Sequence, residues 1–229
     1  MMRPSERPEI ARLPLFVEMG EGQRNLIFAG SFLQVFPPHL TLFEVGDRAD
    51  FLHILVDGQV ELFTSNDGRD TTMAIVHPVR SFILAAVITD MPYLMSARTL
   101  GSSRILMVPR ELLQQIIRDD VALMQATMRE LAMAFRDTVR ALTDMKLRQS
   151  AERLGNYLLL ESARVGRDSF QLRNEKRVMA SLLGMTPENL SRAFGALARH
   201  GAIIEGAVVR IADRSALIAF SRPDPVVDG

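Results

Sequence analysis

Between Val121 and Met145 the apolar residues change their period, and that change limits the possible folds more than any other feature. Val121, Met124, Met128, Leu131, Phe135, Thr138, Leu142 and Met145 follow one another at alternating intervals of three and four. An a/d seam held this long, interrupted only by Thr138, predicts a single long helix. Two partners suit it: the rest of its own chain, or the same helix of a second copy. Its flanks are apolar as well, at Leu123, Ala132, Met133 and Val139, so one helix can serve both contacts. These eight seam residues are the expected interface of a parallel homodimer.

Upstream of the seam the pattern is that of short strands. Residues 31–109 alternate apolar and polar positions between glycine-marked turns at Gly46, Asp57-Gly58 and Asn66-Asp67-Gly68. The run LHILVDGQVELF predicts a hairpin about Asp57-Gly58, with Leu52, Ile54, Val56, Val60 and Leu62 on like faces. Strands so closely spaced suggest a small β-roll or barrel, although a sandwich without a ligand fits the same spacing. Downstream, SAERLGNYLLLESARVG reads as an amphipathic helix ending at Gly166, followed by a polar stretch, RDSFQLRNEK.

Composition removes several classes of function. Cysteine is absent, which excludes disulfides, thiolate catalysis, zinc–thiolate sites and cysteine-held iron–sulfur clusters. No P-loop, HExxH, G-x-S-x-G or GxGxxG occurs, so an enzyme is not expected. No apolar run is long enough to span a membrane, and the start, MMRPSERPEI, lacks the apolar stretch of a secretory signal. A cytoplasmic protein without a membrane partner is the expectation. Net charge is zero, but residues 148–229 carry 12 Arg and Lys against 9 Asp and Glu. That sign favours phosphate contact by the C-terminal part.

Residues 175–200, EKRVMASLLGMTPENLSRAFGALARH, carry the functional signal. Glu175–Leu183 predicts a short helix, and Gly184 supplies the turn. Thr186 suits the N-cap of a second helix and Pro187 its first position. Leu190, Phe194 and Leu197 then form its core stripe. Two short helices about a glycine turn make a helix-turn-helix, whose second helix enters the major groove of double-stranded DNA. The residues left facing outward are Thr186, Glu188, Asn189, Ser191, Arg192 and Arg199. Glu can accept from cytosine N4, and Arg can bond guanine O6 and N7 together. An ordinary αα-hairpin with a solvated face has the same spacing. The two β-runs about Gly206 in GAIIEGAVVRIADRSAL narrow the choice, since they form a wing on which Arg210 can meet phosphate. The chain is therefore read as α+β: a sensor roll over 12–119, a dimerisation helix over 120–147, and a winged helix-turn-helix over 148–221.

From the glycine-punctuated roll to the wing, over residues 12–220, the chain resembles the CRP/FNR family of bacterial transcription regulators. The sharpest match is Glu188-x-x-Ser191-Arg192, similar to the E-x-x-S-R reading pattern of the FNR branch. The CRP branch carries an Arg just before that Glu, where this chain has Pro187. The resemblance implies a homodimer that binds TTGA-type half-sites in an inverted repeat, with RNA polymerase as a further partner. It also implies a cyclic nucleotide cassette resembling G-E-L and R-S-A, in which Glu holds the ribose and Arg the phosphate. Here the Glu aligns with Ala85 and the Arg with Met95. A buried phosphodiester without its cation costs several kcal/mol, so cyclic AMP is not expected as the effector. The pocket so aligned comprises Leu84, Ala85, Ala86, Met95, Ser96 and Met128 and suits an apolar small molecule. The wording FILAAV…PYLMSART is similar to the nitrogen-oxide-responsive branch, some members of which bind haem. Among the four histidines, His77 is the expected haem ligand if the effector is haem. An empty, repacked pocket is the third alternative, and the family's iron–sulfur cluster has no ligands here.

Overall fold

The computed structural model describes residues 2–226, in two compact units, one ending at Phe135 and the other beginning at Arg136. The long helix predicted from the seam is present and is shared between them.

In the first unit, α1 (Arg7–Ile10) and α2 (Glu21–Gly30) precede β1 (Phe32–Phe36), β2 (Thr41–Phe43), β3 (Phe51–Asp57), β4 (Val60–Asn66), β5 (Arg69–Val76) and β6 (Arg80–Phe82). A short helix, α3 (Leu84–Thr89), leads to β7 (Ser96–Thr99) and β8 (Ser103–Pro109). The unit closes with α4 (Arg110–Asp119) and the first part of α5 (Val121–Leu147). The strands form two antiparallel four-stranded sheets, in the orders β1-β8-β3-β6 and β2-β7-β4-β5. Leu55, Val60, Ala97, Ile105, Leu106 and Val108 fill the core between and around them, joined by Leu123 and Ala126 of α5. Asp120 starts α5: its carboxylate accepts from the Leu123 amide at 2.8 Å and from the Gly20 amide at 3.1 Å.

The expected hairpin at Asp57-Gly58 does not form. β3 pairs with β8 and β6, and β4 pairs with β5 and β7, so Gly58 carries the chain from one sheet to the other. Gly58 has φ +95°, and a Cβ there would lie 2.6 Å from the Ser102 carbonyl oxygen and 2.7 Å from Ser103 Cα. Alternation was a misleading sign because both faces of β3 are covered: His53 and Leu55 are as buried as Leu52, Ile54 and Val56. The turn expected at Asn66-Asp67-Gly68 forms, with Asn66 paired to Arg69 across it between β4 and β5.

The second unit contains the rest of α5, then α6 (Ser150–Val165), β9 (Ser169–Gln171), α7 (Lys176–Leu182) and α8 (Pro187–Leu197). It ends with β10 (Ala202–Glu205), β11 (Val208–Ile211) and α9 (Arg214–Ser221). A capping box between Gln149 and Glu152 opens α6, and Gly166 closes it with φ +71°. β9, within the stretch read as polar connection, adds a third strand in the order β10-β11-β9 and buries Phe170. α9 was also not expected; Asp213 caps it by accepting from the Ala216 amide at 2.9 Å. Leu154, Leu158, Met179, Leu190, Phe194, Leu197, Val209 and Leu217 make one core.

Candidate functional site

The helix-turn-helix has the local chemistry expected of it. The amides of Gly184 and Met185 bond the carbonyls of Ser181 and Ala180, both at 2.9 Å, which closes α7. Gly184 turns with φ +61°. Thr186 then caps α8, its hydroxyl accepting from the Asn189 amide at 3.2 Å, with Pro187 at the first helical position. Leu190, Ala193, Phe194 and Leu197 face inward, while Glu188, Ser191, Arg192 and Arg199 are exposed along one stripe.

Electrostatics preorganise that stripe. Glu188 is held below its ordinary carboxylate range, first by its own backbone N–H, then by the Thr186 hydroxyl, with Arg192 adding attraction. The Ser191 hydroxyl donates to the Pro187 carbonyl at 3.0 Å. Arg192 donates to the half-buried Asn189 side-chain oxygen, so these two residues act together. Gly195 lies on the same stripe, with open space over its Cα. The wing follows with Gly206 at its tip, φ +64°. Arg210 is exposed on β11, opposite Ile203 on one side and Ser169 on the other.

Along α5, seven of the eight seam residues are exposed: Val121, Met124, Met128, Phe135, Thr138, Leu142 and Met145. Leu131 is half-buried and packs on the core of the first unit. Leu123, Ala126 and Thr127 are the buried residues of this helix, and Glu130 accepts from Ser81 of β6 at 2.7 Å. Thus one face of the helix is used inside its own unit and the other is left apolar and uncovered.

The segment aligned with the effector cassette is α3 and the approach to β7. Leu84, Ala86 and Val87 are buried, Ala85 is exposed, and Met95 is half-buried against the core. Both ends of α3 are left-handed, at Asp90 (φ +53°), which tolerates that region, and at Ile83 (φ +58°), a β-branched residue that disfavours it. Gln114 holds its C-terminal end through the Val87 carbonyl at 2.9 Å, and Asp90 is paired with the buried Arg110. No Arg or Lys lies between Arg80 and Arg98. Arg98 itself is committed to Glu61 and Asp70, at 2.6 Å each. The Ser96 hydroxyl accepts from the Val45 amide at 3.0 Å.

Three buried polar side-chain atoms in this unit have no hydrogen-bond partner among the described residues: Arg7 Nε, His53 Nδ1 and Thr127 Oγ1. His53 packs in an aromatic cluster with Phe43, Phe82 and Tyr93, at ring separations of 5.1, 5.4 and 6.5 Å. Burial lowers its pKa to about 4, partly opposed by the Phe51 carbonyl, which as an acceptor favours the protonated ring. His77 is half-buried, with Nδ1 3.4 Å from the Gln59 side-chain nitrogen. His39 is exposed, and His200 stacks on Phe220 at 3.9 Å. Neither the burial of Thr127 nor the aromatic cluster was legible in the sequence, because period alone does not tell which polar or aromatic side chains a helix or strand turns inward.

Comparison with known proteins agrees with both units. Residues 33–120 match the cyclic nucleotide-binding domain, and residues 152–220 match the Crp-like helix-turn-helix domain. A CRP-like cAMP-activated global transcriptional regulator of Mycobacterium tuberculosis is 28% identical over 196 residues, covering 82% of this chain and 87% of that one. The transcriptional activator protein FnrA of Stutzerimonas stutzeri is 26% identical over 188 residues, covering 79% and 77%. The fold is shared with FixK2 from Bradyrhizobium japonicum, with a TM-score of 0.75 and 18% identity over 85% of this chain and 98% of that one. No described helix is long and apolar enough to cross a membrane.

Proposed function

The chain belongs to the CRP/FNR family of transcriptional regulators and binds DNA through its helix-turn-helix; on that premise we propose that it acts as a homodimer, reads a TTGA-type inverted repeat, and answers to a small molecule other than a cyclic nucleotide. The observation that carries the first part is the stripe of Glu188, Ser191 and Arg192 on a capped helix, continued by Arg199 in the 3-10 turn after it, with a wing behind. Glu188 offers an acceptor to a cytosine amino group and Arg192 a fork to guanine, while Arg199 and Arg210 offer phosphate contacts. The exposed apolar face of α5 supports pairing with a second copy, which spaces two reading helices for successive major grooves.

The effector reading rests on what the sensor unit offers. A phosphate at the cassette position would have Ala85 and Met95 for neighbours, with the nearest arginine in sequence already paired. The apolar side chains of this segment suit a small, largely apolar molecule. Its binding would favour one arrangement of the dimer over another. Mass spectrometry of the natively purified protein tests this reading, and an absorption spectrum separates a metabolite from haem, for which His77 is the proposed ligand. RNA polymerase remains the further partner that family membership implies.

The deciding experiment for DNA reading is selection from a random duplex pool with the wild type and Arg192→Ala. The wild type is expected to return an inverted repeat with TTGA half-sites. The variant should lose discrimination at one guanine per half-site, at a cost of about 1–3 kcal/mol each. An unchanged motif in the variant would remove Arg192 from the reading face.

A further inference from the structure

α6 buries a permanent positive charge. Arg153 is almost fully buried, and each of its bonds among the described residues goes to a main-chain carbonyl. Nε donates to Leu183 at 2.9 Å, Nη2 to Gly184 at 3.3 Å, and Nη1 to Arg148 at 2.7 Å. Leu183 caps the C-terminus of α7, and Gly184 is the turn of the helix-turn-helix. Arg148 follows the last residue of α5 and forms the elbow into α6. One guanidinium therefore sits at the carbonyl ends of two helices, where partial negative charge collects. A buried arginine cannot shed its proton, so these carbonyls are what makes its burial tolerable.

Two further features join the same places. Met145, near the end of α5, lies against Gly184: a Cβ on that glycine would overlap Met145 Cε and come within 2.6 Å of its sulfur. The elbow also has its own fastening. Arg148 pairs with Asp144 at 2.6 Å, and the Asn156 carboxamide, turned to present its oxygen, accepts from Arg148 Nε at 2.9 Å.

We propose that Arg153 is a positioning residue that ties the α5–α6 elbow to the turn of the helix-turn-helix, so that movement at the elbow re-aims α8. The proposal rests on the reading of α8 as the DNA-reading helix. A rigid planar fork suits the task, because its three donors have fixed relative directions. When the Arg148 carbonyl moves, the guanidinium moves with it, and so does the turn on which α8 begins.

A double-mutant cycle on the full chain tests this, using Arg148→Ala to loosen the elbow and Arg153→Met to cut the tie. Affinity is measured for the duplex that the wild type selects. Arg148→Ala should weaken binding in the wild-type background and have little further effect once Arg153 is gone, a coupling of about tenfold. A residue that only stabilised the domain would leave the two losses additive, and additive losses overturn the proposal. Arg153→Lys should behave like Arg153→Met, since the three donors of an ammonium sit on one nitrogen and cannot reach carbonyls that three separate guanidinium nitrogens serve; wild-type coupling in the lysine variant also overturns it. If Arg153→Met does not fold, the wild-type Nε–H resonance of Arg153 replaces it. That proton must be protected from exchange and must shift in Arg148→Ala; a resonance that exchanges freely or stays unmoved refutes the tie. Should the wild type select no DNA, the reading of α8 fails instead. The cycle is then scored by amide exchange at Gly184 and Met185, with the same pattern expected and additivity again overturning it.

Discussion

Gly155 offers a direct test of how tightly the reading domain is packed. It lies on the face of α6 that meets α9. A Cβ added there would overlap Ser221 Oγ, and would lie 3.1 Å from Ser221 Cβ and 3.4 Å from Leu217 Cδ1. Gly155→Ala therefore sets two effects against each other. Alanine in a helix interior is favoured over glycine by about 1 kcal/mol, whereas an extra carbon in a packed core costs about 1–3 kcal/mol. The overlap with the hydroxyl can be relieved, because Ser221 Oγ is buried without a partner and nothing holds its rotamer. The contact with Ser221 Cβ cannot, since that atom moves only with the backbone of α9. Steric cost should win, leaving Gly155→Ala less stable by about 1 kcal/mol. Ser221→Ala removes an unsatisfied hydroxyl and should be neutral or slightly stabilising. Because alanine at 221 keeps its Cβ, the double variant should stay destabilised by about 1 kcal/mol, with the two changes close to additive.

The assay is urea unfolding of the full chain followed by hydrogen exchange in peptides from α6 and α9. Local exchange is needed because two units need not unfold together, and one optical transition would mix them. A Gly155→Ala protein as stable as the wild type would show that α6 and α9 are not in close contact. Full rescue by Ser221→Ala would place the cost in the hydroxyl and not in the Cβ contact.

Three other outcomes follow from the sites. Phe135→Asp with Leu142→Asp puts charge on the uncovered face of α5, where both residues are exposed; sedimentation should show monomers that no longer bind an inverted repeat, and a persistent dimer would move the interface. This pair avoids Leu131, whose place in the first unit's core would confuse pairing with folding. For the buried His53, the folded pKa of about 4 lies below the unfolded value of about 6.5, so the unfolded state binds more protons between these values. Its contribution is complete above the upper value and is lost as pH falls to the lower, by up to about 3 kcal/mol; His53→Phe should lose that part of the slope, and an identical slope in the variant would show that His53 is not the source. Calorimetry with millimolar cyclic AMP or cyclic GMP should give no saturable heat, and micromolar binding of either would refute the assignment of Ala85 and Met95 to the anchor positions.

What the sequence revealed and what it hid divide along a physical line. α8 was legible because its signals are local: a glycine turn at positive φ, a threonine cap with its acceptor three residues from the amide it serves, and proline where no amide is needed. The long helix was legible in extent, but its period could not say which residues turn toward which partner. Leu131 therefore stood in one list with Phe135 although only Phe135 is fully outward. β3 misled because burial on both faces imitates a hairpin arm when only one face is considered. β9 has three residues and a single buried side chain, Phe170, too little for any period to register. Arg153 was hidden for a different reason. A charged residue in an amphipathic helix is ordinarily placed on its solvated side, and an ion pair at helical spacing would have marked it. Its partners are instead carbonyls of residues 148, 183 and 184, which every residue type carries alike, so no choice of side chain at those positions records the contact. Information of that kind lies in the path of the backbone, and only the folded geometry brings it into view.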